Sequence, residues 1–205
     1  IKENYDLFKN WIVSQKDNLA VLCKGMLKLM VVDIGLERGQ DNPQLIFESM
    51  NSTGKELTQT DLIRNFILMG LEPETQTHLY KNYWRQMEQD FGQEAYTNHF
   101  DGFIRHFLTF KNNGKIPVLS RVYESFKEYA RSPEVHDKGV EALVKEIRQF
   151  SGYYCAMAFG SKKMDPQLDR AFHDLRELRS DVTYPLLLEL YHDYAQGVLS
   201  KEDFL

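Results

Sequence analysis

Apolar residues recur every three or four positions along most of this chain, a period that suits helices packed through one face. Tyr5, Phe8, Trp11 and Ile12 fall on one side of a first predicted helix. Leu19, Leu22, Cys23, Met26 and Leu27 belong to a second, which Asp17 would cap. One stretch breaks the period. Met30–Leu36 is β-branched, with Val32, Ile34 and Leu36 on one side and Val31 and Asp33 on the other, and it predicts a short strand. A lone strand cannot satisfy its own ladder, so its partner would be preceding chain or a second copy in a homodimer.

Helix signals then follow one another. Asn42-Pro43 opens a helix that runs to about Met50, and Asn51 to Gly54 breaks it. Thr58-Gln59-Thr60-Asp61 reads as a capping box with Asp in place of Glu, opening a helix that closes at Gly70. Pro73 opens another, with Leu79, Tyr83, Met87 and Phe91 on its inner side. Phe100, Phe103, Ile104, Phe107 and Leu108 mark the next, ended by Asn112-Asn113-Gly114. Val122, Phe126 and Tyr129, then Val140, Leu143, Val144 and Ile147, mark two more, and the last two span 168–178 and 184–194. Ser132-Pro133 and Asp165-Pro166 read as turns. The predicted fold class is mainly α: a multi-helix orthogonal bundle with one short β-strand or edge element near the N-terminus.

Composition narrows the function classes. With 205 residues and 42% hydrophobic content, the chain can build a core without disulfides or a structural metal. Its net charge of −5 excludes a globally basic nucleic-acid binder. The charge is uneven: residues 102–163 hold 11 Lys and Arg against 6 Asp and Glu, a net +5, leaving −10 for the remainder. Solvated helix faces explain that bias, but basic residues interleaved with Phe110, Tyr123, Phe126 and Tyr129 also suit a phosphate-facing surface. Arg121, Lys127 and Arg131 are the leading candidates for DNA contact. No apolar run approaches the roughly 18 residues of a membrane span, and no signal-peptide pattern opens the chain, so no membrane partner is expected. Cys23 and Cys155 are too few for a disulfide framework, which points to a reducing, cytoplasmic setting. The opening at Ile1 reads as a piece of a longer protein.

A search for catalytic constellations finds none. There is no Gly-rich phosphate loop, HExxH, Cys-x-x-Cys or Gly-x-Ser-x-Gly elbow. His173-Asp174 and His192-Asp193 are neighbours whose side chains leave a helix on different faces. His99 and His106 share a face near Asp101, and structural histidines explain them better than a metal site without a third ligand. Glu124 with Glu128, and Glu141 with Lys145, read as surface charges or ion pairs. No residue is assigned a catalytic or metal-binding role.

One segment exceeds its local physics. A helix–turn–helix joint accounts for Phe47, Met50, Gly54 and Asp61. It does not account for Glu48 and Asn51 presenting polar groups at one helix end, or for Lys55 beside the next helix N-terminus, where an anion is favoured. The order Phe-Glu-x-Met-Asn-x-x-Gly-x-x-Leu-Thr-x-x-Asp-Leu-Ile-Arg-Asn, from Phe47 to Asn65, resembles a signature of the GmrSD-type restriction endonuclease family in its N-terminal, ParB/sulfiredoxin-like domain. The run from Thr183-Tyr184-Pro185 to Asp203-Phe204 also resembles a helical hairpin found further along such proteins.

The resemblance implies that residues 1–71 are the C-terminal part of a ParB/sulfiredoxin-like domain and that 72–205 form a helical domain. It implies a bacterial anti-phage protein that recognises foreign or modified DNA, uses a nucleotide, and cuts with a C-terminal HNH nuclease. Phe47, Glu48, Asn51, Gly54 and Lys55 would form part of the nucleotide site, buttressed by Asp61 and Arg64. The family's Asp-Gly-Gln-Gln-Arg motif and an HNH signature are absent from these residues. The chain alone is therefore expected to hold no cofactor and to be inactive. A nucleoside triphosphate and Mg²⁺ would belong to the full-length protein, whose upstream ParB-like and downstream HNH segments would be partners and through which DNA is met. The alternative is a non-catalytic, all-helical protein-interaction module. A self-contained nucleotide hydrolase is disfavoured by the lack of a phosphate cradle.

Overall fold

The computed structural model describes residues 2–15, 18–31, 33, 35–37, 46, 47, 49, 57–160, 165–179 and 181–205. The chain divides into two compact units, Ile1–Asp41 and Asn42–Leu205.

The first unit holds α1 (Lys2–Ser14) and α2 (Leu19–Met26). Neither helix buries a residue, and Tyr5, Phe8, Trp11 and Ile12 are all exposed on the face the sequence assigned them. Asn18 stands at the α2 N-cap without a side-chain bond, and Asp17 lies outside the described residues. The predicted strand is not seen among the described residues. Among the described residues of 30–36 none is in a strand, and Met30 and Val31 are 94% and 88% exposed. The reason is physical: β-propensity expresses packing against cross-strand and facing neighbours, and Met30 and Val31 have almost none.

The second unit contains α3 (Gln59–Leu68), α4 (Pro73–Leu79), α5 (Arg85–Phe91), α6 (Gln93–Lys111), α7 (Val122–Ala130), α8 (Pro133–His136), α9 (Val140–Phe159), α10 (Pro166–Glu177), α11 (Tyr184–Ala195) and α12 (Lys201–Phe204). The mainly helical fold is as the sequence predicts. The helix expected from Asn42 lies largely outside the described residues. α6 and α9 run through the middle, and α6 buries Phe100, Phe103, Ile104, Phe107 and Leu108 against α5, α7, α9 and α11. Phe107 meets Phe103, Tyr129 and Phe150, so the core is largely aromatic. Full burial of one such ring contributes about 1.5–3 kcal/mol. Both Pro dipeptides read as turns start helices: Ser132 precedes Pro133 of α8, and Asp165 caps α10, accepting from the Gln167 N–H at 2.9 Å. Among the described residues no helix is long and apolar enough to cross a membrane.

Between α4 and α5 the helix widens into a π-turn, Tyr80–Trp84. The extra residue shifts the inner face, so the buried series is Leu79, Trp84, Met87 and Phe91, with Trp84 in the place expected of Tyr83. Tyr83 instead turns outward and donates to Glu141 Oε1 at 2.9 Å, which His78 Nε2 also approaches at 3.2 Å. These two partners hold the Glu141 carboxyl below its ordinary range.

Candidate functional site

The candidate nucleotide residues lie on and before α3. Phe47 is helical and half-buried, while Glu48, Asn51, Gly54 and Lys55 lie outside the described residues. Asp61 and Arg64 can be followed in detail. Thr58 is the α3 N-cap; its Oγ1 accepts from the Asp61 N–H at 3.1 Å, and its hydroxyl donates to Asp61 Oδ2 at 2.9 Å. This is the cap predicted from sequence, with Asp completing it from N3.

Arg64 lies between two carboxylates, donating to Asp61 Oδ1 at 2.8 Å and to Glu88 Oε1 at 3.3 Å. Glu88 Oε2 accepts in turn from the Tyr80 hydroxyl at 3.1 Å, on the π-turn. Burial, and then the Glu88 acceptor, raise the Tyr80 phenol above its ordinary range, so it stays a donor at neutral pH. Asp61 and Arg64 are thus engaged with each other and with the helical body. They hold α3 in place and present no unengaged charge.

Two further contacts, invisible to sequence periodicity, fasten the same first turn. Asp101 on α6 accepts from the Thr60 N–H at 2.8 Å and also from the Thr60 hydroxyl. Thr60 is buried, so Asp101 serves as a remote cap for the N–H groups that α3 leaves open. Gln59 reciprocates toward α7, where its Oε1 accepts from the Tyr123 N–H at 2.8 Å. The segment after the Phe47–Gly54 stretch is therefore tied to α7 by Gln59, to α6 by Thr60 and to α5 by Arg64.

The DNA-contact candidates sit at or near α7. Arg121 is exposed where a short 3-10 turn, Leu119–Arg121, meets the helix. Lys127 Nζ lies 4.5 Å from the Tyr123 ring centre, and the Arg131 guanidinium 5.7 Å from that of Phe66. Lys127 and Arg131, four residues apart, share a face. Much of the neighbouring positive charge is internally matched. Lys111 pairs with Glu146 at 2.6 Å, Arg148 with Asp90 at 2.7 Å, and Lys138 with Glu134 at 3.2 Å. Arg105 donates to the Pro117 carbonyl at 2.9 Å. Lys162 and Lys163 lie outside the described residues.

The histidines do not assemble as ligands. His106 is buried, whereas Asp101, expected near it, turns to Thr60. His173 and Asp174 form an exposed pair at 3.6 Å. Among the described residues no group of three or more His, Cys, Asp and Glu side chains gathers to hold a metal ion.

No curated protein and no solved structure matches the chain. Residues 1–68 match the family model described as GmrSD restriction endonuclease, N-terminal domain, and that match ends on the last residue of α3. The match contains the whole Phe47–Asn65 segment, so this part of the chain is similar to the N-terminal domain of GmrSD restriction endonucleases.

Proposed function

We propose that this chain is part of a DNA-targeting restriction or defence protein. In this reading residues 47–64 contribute one side of a nucleotide site, and the helical body meets DNA or a partner. The observation that carries the reading is the family match over residues 1–68. Glu48, Asn51, Gly54 and Lys55 would face a nucleoside triphosphate and its Mg²⁺, with Phe47 beside them. Asp61 and Arg64 position that segment, since both are already engaged by Thr58 and Glu88. The bound nucleotide would supply binding or hydrolysis energy, and cutting would belong to an HNH segment of the full-length protein. The chain by itself turns over no nucleotide and cuts no DNA.

DNA contact is assigned to Arg121, Lys127 and Arg131 and is electrostatic. Such binding weakens as salt rises, and each lost phosphate contact reduces the log–log salt slope by about one. The test is duplex binding by the chain across a salt series. Arg121→Ala, Lys127→Ala and Arg131→Ala together should lower affinity and slope while leaving the far-ultraviolet dichroism unchanged. Binding that the triple change leaves untouched, or no binding at low salt, overturns the assignment. Nucleoside triphosphate turnover by the chain that Glu48→Ala abolishes would show it to be self-sufficient.

A further inference from the structure

A cavity of about 330 Å³ opens where the C-terminal half of α9 meets α10 and the start of α11, away from the segment and the basic residues discussed above. Tyr154 and Tyr184 line it, only 5% and 7% exposed, their rings edge to face with centres 5.5 Å apart. Neither hydroxyl has a hydrogen-bond partner among the described residues, and both residues line the cavity. Behind them His106 lies 5.5 Å from the Tyr184 ring, its Nε2 3.8 Å from Asp181 Oδ2. Phe159 forms a wall, 5.6 Å from the His99 ring and 6.0 Å from that of Tyr154.

Two guanidinium groups stand at the mouth. Arg176 is fixed by donating to the Met157 carbonyl at 2.9 Å and lies 3.8 Å from Asp169. Arg179 forms no side-chain hydrogen bond or ion pair among the described residues, and it lines the cavity with φ at +50°. It occupies the position just past the α10 C-cap, which favours Gly or Asn because a β-carbon is strained there. The other described non-Gly residue with positive φ is Asn113, a residue type suited to it. Gly would end α10 with less strain, so a strained backbone here sets an arginine side chain at the cavity mouth.

We propose that this cavity binds a nucleoside monophosphate, either free or as one unit of a single strand. The half-exposed Phe159 ring, with His99 beside it, offers a face to a planar heterocycle, and the two phenols and Asp181 offer donors and an acceptor to its edge. The phosphate meets Arg179, with Arg176 beside it. Inorganic phosphate alone would leave the rings unused, and a purely apolar guest would leave the phenols unpaired. Burial holds the His106 imidazole below its ordinary range, so it stays neutral at pH 7 and leaves the mouth arginines as the anion-binding charge.

Calorimetry on the full chain with 2′-deoxyadenosine 5′-monophosphate and with an eight-residue single-stranded deoxyadenosine oligomer tests this. Arg179→Gly should weaken binding about tenfold or more while the thermal midpoint holds or rises, because the strained backbone is relieved. Tyr154→Phe, which keeps the ring, should also weaken binding. If both probes bind with these dependences, the ligand is the free nucleotide; if only the oligomer does, it is the strand. The proposal is overturned if neither probe binds, if inorganic phosphate binds equally well, or if Arg179→Gly changes nothing. Binding that survives Arg179→Gly but is lost in Glu48→Ala belongs to the Phe47–Gly54 segment. That result overturns the cavity assignment and leaves the proposed function standing.

Discussion

Asp101→Ala should destabilise the helical body far more than a half-buried polar residue ordinarily does. The substitution deletes an acceptor for two donors on Thr60, the backbone N–H at 2.8 Å and the hydroxyl. Thr60 is only 4% exposed, so neither donor can recover a full partner from water. A hydrogen bond to a charged group contributes about 1.5–3 kcal/mol, and loss of a helix N-cap costs about 1 kcal/mol. Allowing for the partial exposure of Asp101, the expected loss is about 2–4 kcal/mol. For a domain of this size that lowers the thermal midpoint by roughly 5–15 °C. Urea unfolding followed by tryptophan fluorescence is a suitable assay, because Trp84 is fully buried in this unit. Asp101→Asn keeps one acceptor and should lose less. Combined with Thr60→Val, Asp101→Ala should show a coupling of about 0.5–3 kcal/mol, since the two residues share one interaction. A loss below about 0.5 kcal/mol, or strict additivity of the two changes, refutes the claim that Asp101 anchors α3.

Burial pushes the Cys155 thiol up to about 12 while Cys23 is exposed, so a thiol reagent at pH 8 should modify Cys23 quickly and Cys155 only on unfolding; simultaneous loss of both thiols in native buffer contradicts this. Burial lowers the His106 pKa, so the unfolded chain takes up that proton first. Its contribution is complete above about pH 6.5 and lost as pH falls toward the lower folded value. Urea midpoints at pH 7.5 and 5.5 should drop on acidification, and His106→Gln should flatten that drop; a rise would sink the burial argument. Lys201 Nζ, at 2.9 Å, and then the Gln167 N–H hold Asp165 below its ordinary range, so its contribution is present above about pH 4 and lost as pH falls through the folded pKa. Amide exchange in α12 should accelerate there, and Lys201→Met should produce the same acceleration at neutral pH; equal rates in both proteins would refute the tie.

Local chemistry was legible where it stayed local. The Thr58–Asp61 cap, Pro73 at the start of α4 and the Asn113-Gly114 stop depend on residues within one turn, and all three form as expected. The strand at 30–36 failed because its residue types report a preference that neighbours must realise. The anchoring of α3 was out of reach for a different reason. Asp101 meets Thr60 across 41 residues and Tyr123 meets Gln59 across 64, and no spacing rule spans such separations. The basic bias of 102–163 was visible in composition, but Lys111, Arg148 and Lys138 proved to be matched by partners that only packing brings near. Leu79, Tyr83, Met87 and Phe91 keep strict four-residue steps, longer than the 3.6 of an α-helix, and the π-turn absorbs the surplus.

That turn works as a splice between two registers of one helix. Upstream of it Leu79 is in phase with the core; downstream Trp84, Met87 and Phe91 are, and a single α-helical phase cannot serve both sets. Deleting one residue within Tyr80–Tyr83 would remove that surplus, so that an unbroken α-helix would carry Leu79, Trp84, Met87 and Phe91 on one side at steps of four, three and four. The splice also leaves Tyr83 out of phase with the interior, and that offset carries its hydroxyl across to Glu141 on α9. The same short stretch sends Tyr80 the other way, to the carboxylate that holds Arg64. A one-residue slip here would therefore be felt at α9 and at α3 together.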